Sequence, residues 1–235
     1  MKIALLADVH ANVMALKAVL ADLRGVDHIV CAGDVVGYYP DANEVCDLLK
    51  RIGAQVIRGN HDAYVTGTLE PIPDVASMAR TAWTRRTLTS ANYKWLARLD
   101  VEAQVSSTPG IIRVRHANPW DEEERLFPDS PRLAAIPIGH AEVLVLGHTH
   151  YPMLVRRGAG MIVNPGSVGQ PRDWNPLASY AVLDSNGPTV EFRRVQYDVV
   201  GLQRRLTELG WPPTGISILS RSRTATTPPP IIGKS

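Results

Sequence analysis

The sequence predicts an α/β fold with a sheet that is at least partly parallel. Three short apolar runs of strand length occur in its first part, at 2–7, 28–32 and 55–57. Stretches with apolar residues at helical spacing separate them, at 13–24 and at about 42–51. Strands that alternate with helices in this way are typical of α/β folds, because a helix is the usual crossover between parallel strands.

Each element of this first part carries a local signal. The run KIALLA at 2–7 is apolar at almost every position, as expected for a strand that is covered on both faces. Asn12 is a typical N-cap for the first helix, and Gly53 is a typical C-cap for the second. The second apolar run ends in a turn at Gly33. These signals fix the order strand, helix, strand, helix, strand.

The later part contains one long helical stretch and several short strands. Residues 75–99 have a helical pattern, and SNGP at 185–188 is a strong turn signal between two strands of a hairpin. From about residue 217 the composition shifts to Ser, Thr and Arg and then to Pro-Pro-Pro. We therefore expect one domain over 1–216, with a cap-like helical segment at about 75–99, and a flexible tail at 217–235. The other predicted strands are 111–114, 143–146, 161–163, 180–183 and 190–195.

Composition limits the classes of function. The chain has 235 residues, 45% of them hydrophobic and 20% charged, as in an ordinary globular protein. Its formal charge of +2 is too small to indicate nucleic-acid binding by itself. We expect no signal peptide and no membrane span, because no apolar run is long enough. Cys31 and Cys46 lie in apolar patterns and are expected to be buried thiols, which favours a reducing, cytoplasmic location.

Polar residues are concentrated directly after the apolar strands. The sequence DVH follows the first strand, GD the second and GNHD the third, whereas later strands end in His116 and in GHTH. The carboxyl ends of strands in open α/β sheets line the ligand crevice, so these residues are expected to converge. Taken singly, each motif is compatible with a capped turn or a polar surface. Their ordered recurrence after five strands favours a functional site.

The residue types indicate a transition-metal site. Asp8 and His10 are two positions apart, as are His148 and His150, so each pair can point to one side of an extended chain. Carboxylates, imidazoles and an amide, without thiolates, suit Mn²⁺, Fe or Zn²⁺. The donors outnumber the ligands of one ion, and two ions about 3.5–4 Å apart would use them.

These motifs resemble those of the calcineurin-like metallophosphoesterase superfamily over about residues 1–200. The segments NPGSVGQPR at 164–172 and RRVQYD at 193–198 are similar to its compact bacterial and archaeal branch of phosphodiesterases and diadenosine-tetraphosphatase-like proteins. The resemblance implies a four-layer α-β-β-α sandwich with two mixed sheets. One departure is visible, since Ala117 follows His116 where many members have Gly.

The resemblance also implies roles for individual residues. One metal ion would be held by Asp8, His10, Asp34 and His150, and the second by Asp34, Asn60, His116 and His148. Both would be divalent, with Mn expected first and Fe, Zn, Ni or Co as alternatives. His61 would be the general acid that protonates the leaving oxygen, and Asp62 would orient its ring. A hydroxide between the two ions would attack the phosphate ester.

The substrate is less well defined by the sequence. Residues 76–99 are rich in Arg and Lys, with Trp and Tyr interleaved, and could form a cap for a nucleotide that includes Arg86. The alternative is amphipathic helices with a solvated basic face. Arg172 is a second substrate candidate, or it pairs with Asp173 or Asp184. The simplest interpretation of the acidic residues at 121–124 is a solvated loop.

Three functions agree with this pattern. The first is a phosphodiesterase or nucleotide phosphohydrolase that acts on a phosphorylated small molecule or nucleotide. The second is a phosphomonoesterase or protein phosphatase on the same centre. The third is a non-catalytic scaffold of the same fold, against which the retained His61 argues. We expect no membrane partner, the sequence gives no strong signal for nucleic-acid binding, and a homo-oligomer is possible.

Overall fold

The computed structural model of the protein describes residues 1–106, 110–187, 189–222 and 231–234. Its strands are β1 (Lys2–Leu6), β2 (His28–Cys31), β3 (Gln55–Val56), β4 (Glu102–Ser106), β5 (Ile111–Arg115), β6 (Val143–Val145), β7 (Pro152–Arg157), β8 (Gly160–Pro165), β9 (Ala178–Asp184), β10 (Thr189–Val195) and β11 (Ile231–Lys234). Its α-helices are α1 (Val13–Asp22), α2 (Ala42–Arg51), α3 (Asn60–Thr66), α4 (Pro73–Met78), α5 (Thr81–Thr87), α6 (Ser90–Leu96), α7 (Val199–Glu208) and α8 (Pro213–Ser217). Short 3₁₀ helices cover Pro131–Ala135 and Ile218–Ser220.

The first sheet has the strand order β10-β9-β1-β2-β3. β1, β2 and β3 are parallel, with Leu6 opposite Cys31 and Cys31 opposite Val56. β9 is antiparallel to both of its neighbours, β1 and β10. The predicted parallel core and the predicted hairpin are therefore both confirmed, although Pro188 of the turn lies outside the described residues.

The second sheet has the order β11-β7-β8-β6-β5-β4. Its centre is parallel, since β6 pairs in parallel with both β5 and β8. β4 is antiparallel to β5, and β7 is antiparallel to β8. Because β5 and β6 run in the same direction, the loops that follow them leave the same edge of this sheet.

The sequence of β1 is apolar throughout because both of its faces are covered. Ile3 and Leu5 are fully buried in a cluster with Val114 and Val145 of the second sheet, which places this cluster between the two sheets. Leu6 belongs to a different cluster, on the other face, with apolar residues of α1 and α2. Burial of each large aliphatic side chain stabilises the fold by about 1.5–3 kcal/mol.

The outer face of the second sheet is covered more thinly. Leu144 and Ile162 pack there against Leu133 and Ile136, which belong to the 3₁₀ helix Pro131–Ala135 and its C-terminal boundary. Two mixed sheets thus lie face to face with helical layers outside, and the predicted four-layer sandwich is confirmed.

The caps predicted for the first two helices are present. The Asn12 side-chain oxygen accepts a hydrogen bond from the amide of Ala15 at 3.0 Å. α2 ends at Arg51, and Gly53 follows it with a φ of +66°. A left-handed residue at this position is favourable for glycine, which has no Cβ to clash with the preceding carbonyl.

The predicted cap-like segment, 75–99, consists of the three short helices α4, α5 and α6. Leu96 is buried, and Trp83 is partly buried with its ring centroid 5.0 Å from that of Trp211. Arg86 is exposed and its guanidinium lies 5.3 Å from the Trp83 ring centroid. These contacts favour amphipathic helices that pack on the body of the domain over a cap that closes on a nucleotide.

The predicted tail, 217–235, falls partly on residues 223–230 and 235, which lie outside the described part of the chain. Of its described residues, Leu219 is buried, and Ile231–Lys234 pairs in parallel with β7. The division of the chain at residue 216 stays a prediction. The helices of the described residues include none with the length and apolar character required to cross a membrane.

Candidate metal centre

The seven predicted ligands meet where strands of the two sheets end. Asp8 and Asp34 follow β1 and β2, and Asn60 opens α3 after β3. His116 and His148 follow β5 and β6 of the second sheet. All seven side chains are buried, and none exceeds 5% exposure: Asp8, His10, Asp34, Asn60, His116, His148 and His150.

Four of these residues form the first group. The Nε2 atoms of His10 and His150 are 3.0 Å apart. The Nε2 atom of His150 is 3.4 Å from the Oδ1 atom of Asp8, and the Nε2 atom of His10 is 3.7 Å from the Oδ2 atom of Asp34. All four can offer ligand atoms that lie within 4.8 Å of one another.

Asp34 also belongs to the second group, with His116, His148 and Asn60. The Oδ2 atom of Asp34 is 3.2 Å from the Nε2 atom of His116. The Oδ1 atom of Asn60 is 3.0 Å from the His116 Nε2 atom and 3.0 Å from the His148 Nδ1 atom. One carboxylate is therefore shared by two clusters, the arrangement that a bridging ligand requires.

Backbone carbonyls orient all four histidine rings. A carbonyl oxygen only accepts, so the ring nitrogen next to it donates and the other nitrogen is directed to the centre. His148 is turned the opposite way from the other three, with Nδ1 directed inward. The pairs are His10 Nδ1 with Val36 O at 3.2 Å, His116 Nδ1 with Ala32 O at 2.7 Å, His150 Nδ1 with Gln170 O at 2.6 Å and His148 Nε2 with Glu123 O at 2.8 Å.

The inner atoms fit a cation better than they fit one another. With both Nδ1 atoms donating to carbonyls, the Nε2 atoms of His10 and His150 present lone pairs to each other at 3.0 Å. The buried Oδ2 atom of Asp34 accepts no well-aligned hydrogen bond among the described residues, although the Nε2 atom of His116 is 3.2 Å away. Acceptors that face acceptors in a buried site are costly without a positive charge between them. The donor set of oxygen and nitrogen, without sulfur, suits a divalent transition metal.

The protonation states are consistent with this interpretation. Burial lowers the pKa of His10 and of His150 well below the ordinary value, and it lowers the pKa of His148 to about 3. Burial raises the pKa of Asp8 to about 8. Burial also favours a neutral His116, but the Asp34 carboxylate overcomes it and raises the pKa of His116 to about 10. Neutral imidazoles can ligate a metal, and a cation beside Asp34 would replace the proton of His116.

Five of the seven residues adopt a left-handed backbone, which costs non-glycine residues about 1–2 kcal/mol each. The loops hold this conformation through hydrogen bonds to one another, such as Asp8 N to Gly33 O at 3.0 Å and His10 N to Asp34 O at 2.9 Å. Strained backbone of this kind is concentrated at functional sites. The five φ angles are 54° for Asp8, 50° for His10, 53° for Asp34, 67° for His148 and 62° for His150.

Gly59 allows two of the motif loops to approach each other. A Cβ atom on Gly59 would lie 2.1 Å from the Oδ1 atom of Asp34 and 2.3 Å from its amide nitrogen. Any side chain at this position would therefore displace the shared carboxylate. The glycine that begins the GNHD motif is required by packing at the centre.

His61 lies beside the two groups. Its ring is 5% exposed, 5.0 Å from the ring of His10 and 4.8 Å from that of Tyr38. Its Nδ1 atom has no hydrogen-bond partner among the described residues, and burial lowers the pKa of the ring to about 4. The backbone amide of His61 donates to the Oδ1 atom of Asp34 at 2.9 Å. The ring thus has an unused nitrogen next to the candidate metal ligands.

Asp62 does not orient the His61 ring in the way that the sequence suggested. Its Oδ2 atom accepts from the amides of Gly59 at 2.9 Å and Val35 at 3.2 Å, and its Oδ1 atom accepts from the amide of Val36 at 3.0 Å. Consecutive residues of a helix point about 100° apart, so the two side chains diverge. Asp62 instead fastens the start of α3 to the loop that carries Asp34.

Arg172 lies at the edge of the centre, without the acidic partners that were considered for it. Its Nη2 atom donates to Gln170 Oε1 at 2.8 Å and to the Tyr38 hydroxyl at 3.1 Å. Asp173 pairs with Arg194 instead. Tyr38 and Gln170 were missed by the sequence interpretation. Tyr38 lies in the turn after the GD motif, and Gln170 lies in the segment 164–172 that carries the finer family resemblance.

The residues at 121–124 do not form a simple solvated acidic loop. Glu122 forms an ion pair with Arg58 at 2.9 Å. The Glu123 carboxylate accepts a hydrogen bond from the Tyr64 hydroxyl, and its carbonyl orients His148. This loop covers the second group of ligands, a role that could not be inferred from its charge pattern.

Comparisons with known proteins agree with this geometry. The model of the calcineurin-like phosphoesterase superfamily domain matches residues 1–187 of the chain. An uncharacterized protein of Methanocaldococcus jannaschii is 33% identical over 218 residues, which are 84% of this chain and 88% of that protein. The phosphodiesterase YfcE of Escherichia coli is 30% identical over 167 residues, which are 67% of this chain and 88% of the enzyme. A crystal structure of a metallophosphoesterase from Sphaerobacter thermophilus superposes with a TM-score of 0.80 at 31% identity, covering 95% of this chain and 99% of that one.

Proposed function

The chain belongs to the calcineurin-like phosphoesterase superfamily, whose members are metal-dependent phosphoesterases, and we propose that it is a phosphodiesterase or nucleotide phosphohydrolase. Membership confirms the resemblance that the five motifs indicated. The substrate would be a phosphorylated small molecule or nucleotide with an ester or anhydride bond at phosphorus. The similarity to a phosphodiesterase over 67% of the chain supports this choice over a phosphomonoesterase.

One observation carries the proposal. Two groups of buried donors share Asp34, and backbone carbonyls direct one ring nitrogen of each of the four histidines in these groups to the centre. We assign Asp8, His10, Asp34 and His150 to one divalent ion. The second ion is assigned to Asp34, Asn60, His116 and His148. The ions, when bound, would supply Lewis-acid stabilisation of the phosphate and a lower pKa of the attacking water.

The residues around the ions would complete the reaction. The water oxygen forms a bond to phosphorus and releases a proton to solvent, and the bond from phosphorus to the leaving oxygen breaks. His61 gives its proton to that oxygen, which becomes a hydroxyl group. Its unpartnered Nδ1 atom and its position beside both groups support this role. Asp62 would act as a positioning residue, through the backbone amides that it holds.

His61 must gain a proton before it can act as an acid. Without a ligand, burial lowers its pKa to about 4 and the ring is neutral near pH 7. A phosphate anion beside the ring favours the protonated form, because an opposite charge within about 4–6 Å raises the pKa of a histidine. Substrate binding would therefore charge His61 only when its proton is needed.

We propose manganese as the metal and the cytoplasm as the location. The mixed oxygen and nitrogen donor set supports Mn²⁺ and equally allows Fe, Zn, Ni or Co. The two cysteines are buried and unpaired, as predicted, and unpaired thiols are typical of a reducing compartment.

A metal-dependent assay tests the function. The protein is treated with chelator, loaded with Mn²⁺ and offered bis-p-nitrophenyl phosphate or p-nitrophenyl phosphate. We expect hydrolysis of the diester that chelator removes and added metal restores, with about two ions per chain by elemental analysis. A clear preference for the monoester would favour the phosphatase alternative. A protein that binds no metal and hydrolyses neither compound would be a scaffold.

A further inference from the structure

A cavity lies next to the candidate metal centre. It has a volume of about 330 Å³, near the lower end of the range for small-molecule sites, roughly 300–1,000 Å³. Its walls come from five parts of the chain: the turn after β2, helix α4, the loop around residue 125, the loop at 170–172 and the segment 212–221. They include Tyr38, Val75, Met78, Arg125, Gln170, Arg172, Ile218 and Arg221.

Three arginines line this cavity, and none of them has a carboxylate partner among the described residues. Arg172 is held by the neutral oxygens of Gln170 and Tyr38. The Arg221 guanidinium lies 5.7 Å from the ring centroid of Trp174, and Arg125 is exposed. In contrast, Arg194, which lies outside the cavity, forms an ion pair with Asp173. The positive charge of the cavity is therefore uncompensated.

The cavity and the metal centre share a wall. The Tyr38 ring contacts the rings of His10 at 4.7 Å and His61 at 4.8 Å, and its hydroxyl accepts from Arg172. Gln170 makes a second link, because its carbonyl orients His150 while its side chain holds Arg172. After burial and the Asp34 charge, Arg172 and Arg125 are among the causes that set the pKa of His61. A ligand bound at the centre can thus extend into the cavity.

We propose that this arginine cavity binds a second phosphate group of the substrate. The preferred substrates are then compounds with a pyrophosphate or longer phosphate chain, such as nucleoside diphosphates and dinucleoside polyphosphates, and not simple diesters. The inference rests on the proposed function, since it assigns the scissile phosphate to the metal centre. It differs from the sequence-based expectation for Arg86, which lies outside the lining of this cavity.

The chemistry of the cavity supports a phosphate over other anions. A planar guanidinium can donate two parallel hydrogen bonds to a phosphate, and three guanidinium groups line this cavity. Val75, Met78 and Ile218 add apolar surface beside the charges. A nucleoside attached to the second phosphate would cover this apolar surface, whereas an inorganic anion would leave it exposed.

Binding to the metal-free protein tests the cavity independently of catalysis. Inorganic pyrophosphate is titrated calorimetrically into chelator-treated protein, with Arg125→Gln and Arg221→Gln as variants and Arg86→Gln as the control. Each cavity variant should weaken binding by about 5- to 10-fold, because each loses charged hydrogen bonds to the anion. Arg86→Gln removes the same charge outside the cavity and should bind as the wild-type protein does. Equal binding by all four proteins would overturn the proposal.

Kinetics of the metal-loaded protein separate this inference from the proposed function. The ratio of kcat/KM for diadenosine tetraphosphate to that for bis-p-nitrophenyl phosphate should fall about 5- to 10-fold in Arg125→Gln and stay unchanged in Arg86→Gln. A ratio that stays the same in both variants would refute the second phosphate site while leaving the phosphoesterase activity intact. If the wild-type protein hydrolyses neither compound, the proposed function fails, and the calorimetric result still decides whether the cavity binds phosphate.

Discussion

The metal centre and the arginine cavity are neighbours, yet they are built in opposite ways. The centre consists of buried side chains on strained loops, and its histidines are each fixed by a carbonyl. In the cavity, Arg125 and Arg221 are exposed and Arg172 is only half-buried. Rigid placement is required for ligands that must hold an ion in one geometry. Exposed cations on an open wall are adequate for binding the remainder of an anionic substrate.

This contrast implies that the two regions respond differently to mutation. Substitutions at the centre should abolish metal binding or activity, because each residue there interacts with several of the others. Changes in the cavity should alter affinity in steps, since each arginine acts separately. Substitutions at the centre are therefore expected to have greater effects than substitutions in the cavity.

Asp34→Ala should have the largest effect. Its carboxylate belongs to both groups of ligands, and its Oδ1 atom also accepts from the amide of His61. We expect both metal ions and activity to be lost together, with a fall in kcat of at least about 10⁴-fold. Elemental analysis and diesterase kinetics measure this, with the exposed Asp129→Ala as control. Retention of one full ion would show that the groups are independent.

His61→Ala should separate chemistry from metal binding. The variant is expected to keep both ions, while kcat falls by about 10²- to 10⁴-fold because the leaving oxygen loses its acid. The exposed His140→Ala serves as a matched control. If His61→Ala lost its metal, His61 would belong with the ligands, and its assignment as the acid would be wrong.

Gly59→Ala tests the packing of the centre without removing any functional group. The added Cβ atom would approach the Asp34 carboxylate to 2.1 Å, so we expect a free energy of unfolding lower by about 2–3 kcal/mol and weaker metal binding. Gly187→Ala is the control, because a Cβ atom there meets no described atom within 4 Å. Denaturant unfolding of both variants measures the effect. Equal stability would mean that the motif loops can move apart freely.

The same contrast explains what the sequence could and could not predict. Asp8, Asp34 and His148 come shortly after apolar strands. Recognition of those strands was therefore sufficient to predict that these residues meet at one edge of the sheets. Arg125 and Arg221 come from loops with no periodicity, and their meeting depends on how distant segments pack. Strands β4 and β7 were also missed. β4 has the sequence EAQVS, which lacks a continuous apolar run, and in β7 the apolar residues 153–155 are flanked by a proline and two arginines.

Asp62 shows a second reason why the site could not be predicted fully from the sequence. The family resemblance implied that Asp62 orients the ring of His61, but a helix directs neighbouring side chains apart. The residue was recognised as part of the motif although its partners, the amides of Gly59, Val35 and Val36, belong to the backbone. Backbone partners leave no trace in residue identities, and so the sequence could not reveal them.

Arg172→Ala should have the smallest effect, since Arg172 lies at the boundary between the two regions. It touches Tyr38 and Gln170 and no predicted metal ligand, so both ions should remain bound. In the proposed function its guanidinium would contact the part of the substrate that does not react, and such contacts stabilise ground and transition states equally. We therefore expect KM for a nucleotide substrate to rise about 5- to 10-fold, with kcat within about 2-fold of the wild-type value. Arg86→Ala is the control from the basic helices and should leave both parameters unchanged, because its guanidinium stacks on Trp83. Steady-state kinetics on the two variants measure this. If Arg172→Ala lowered kcat and left KM unaltered, Arg172 would act on the reacting phosphate, and the boundary between centre and cavity would have to be moved.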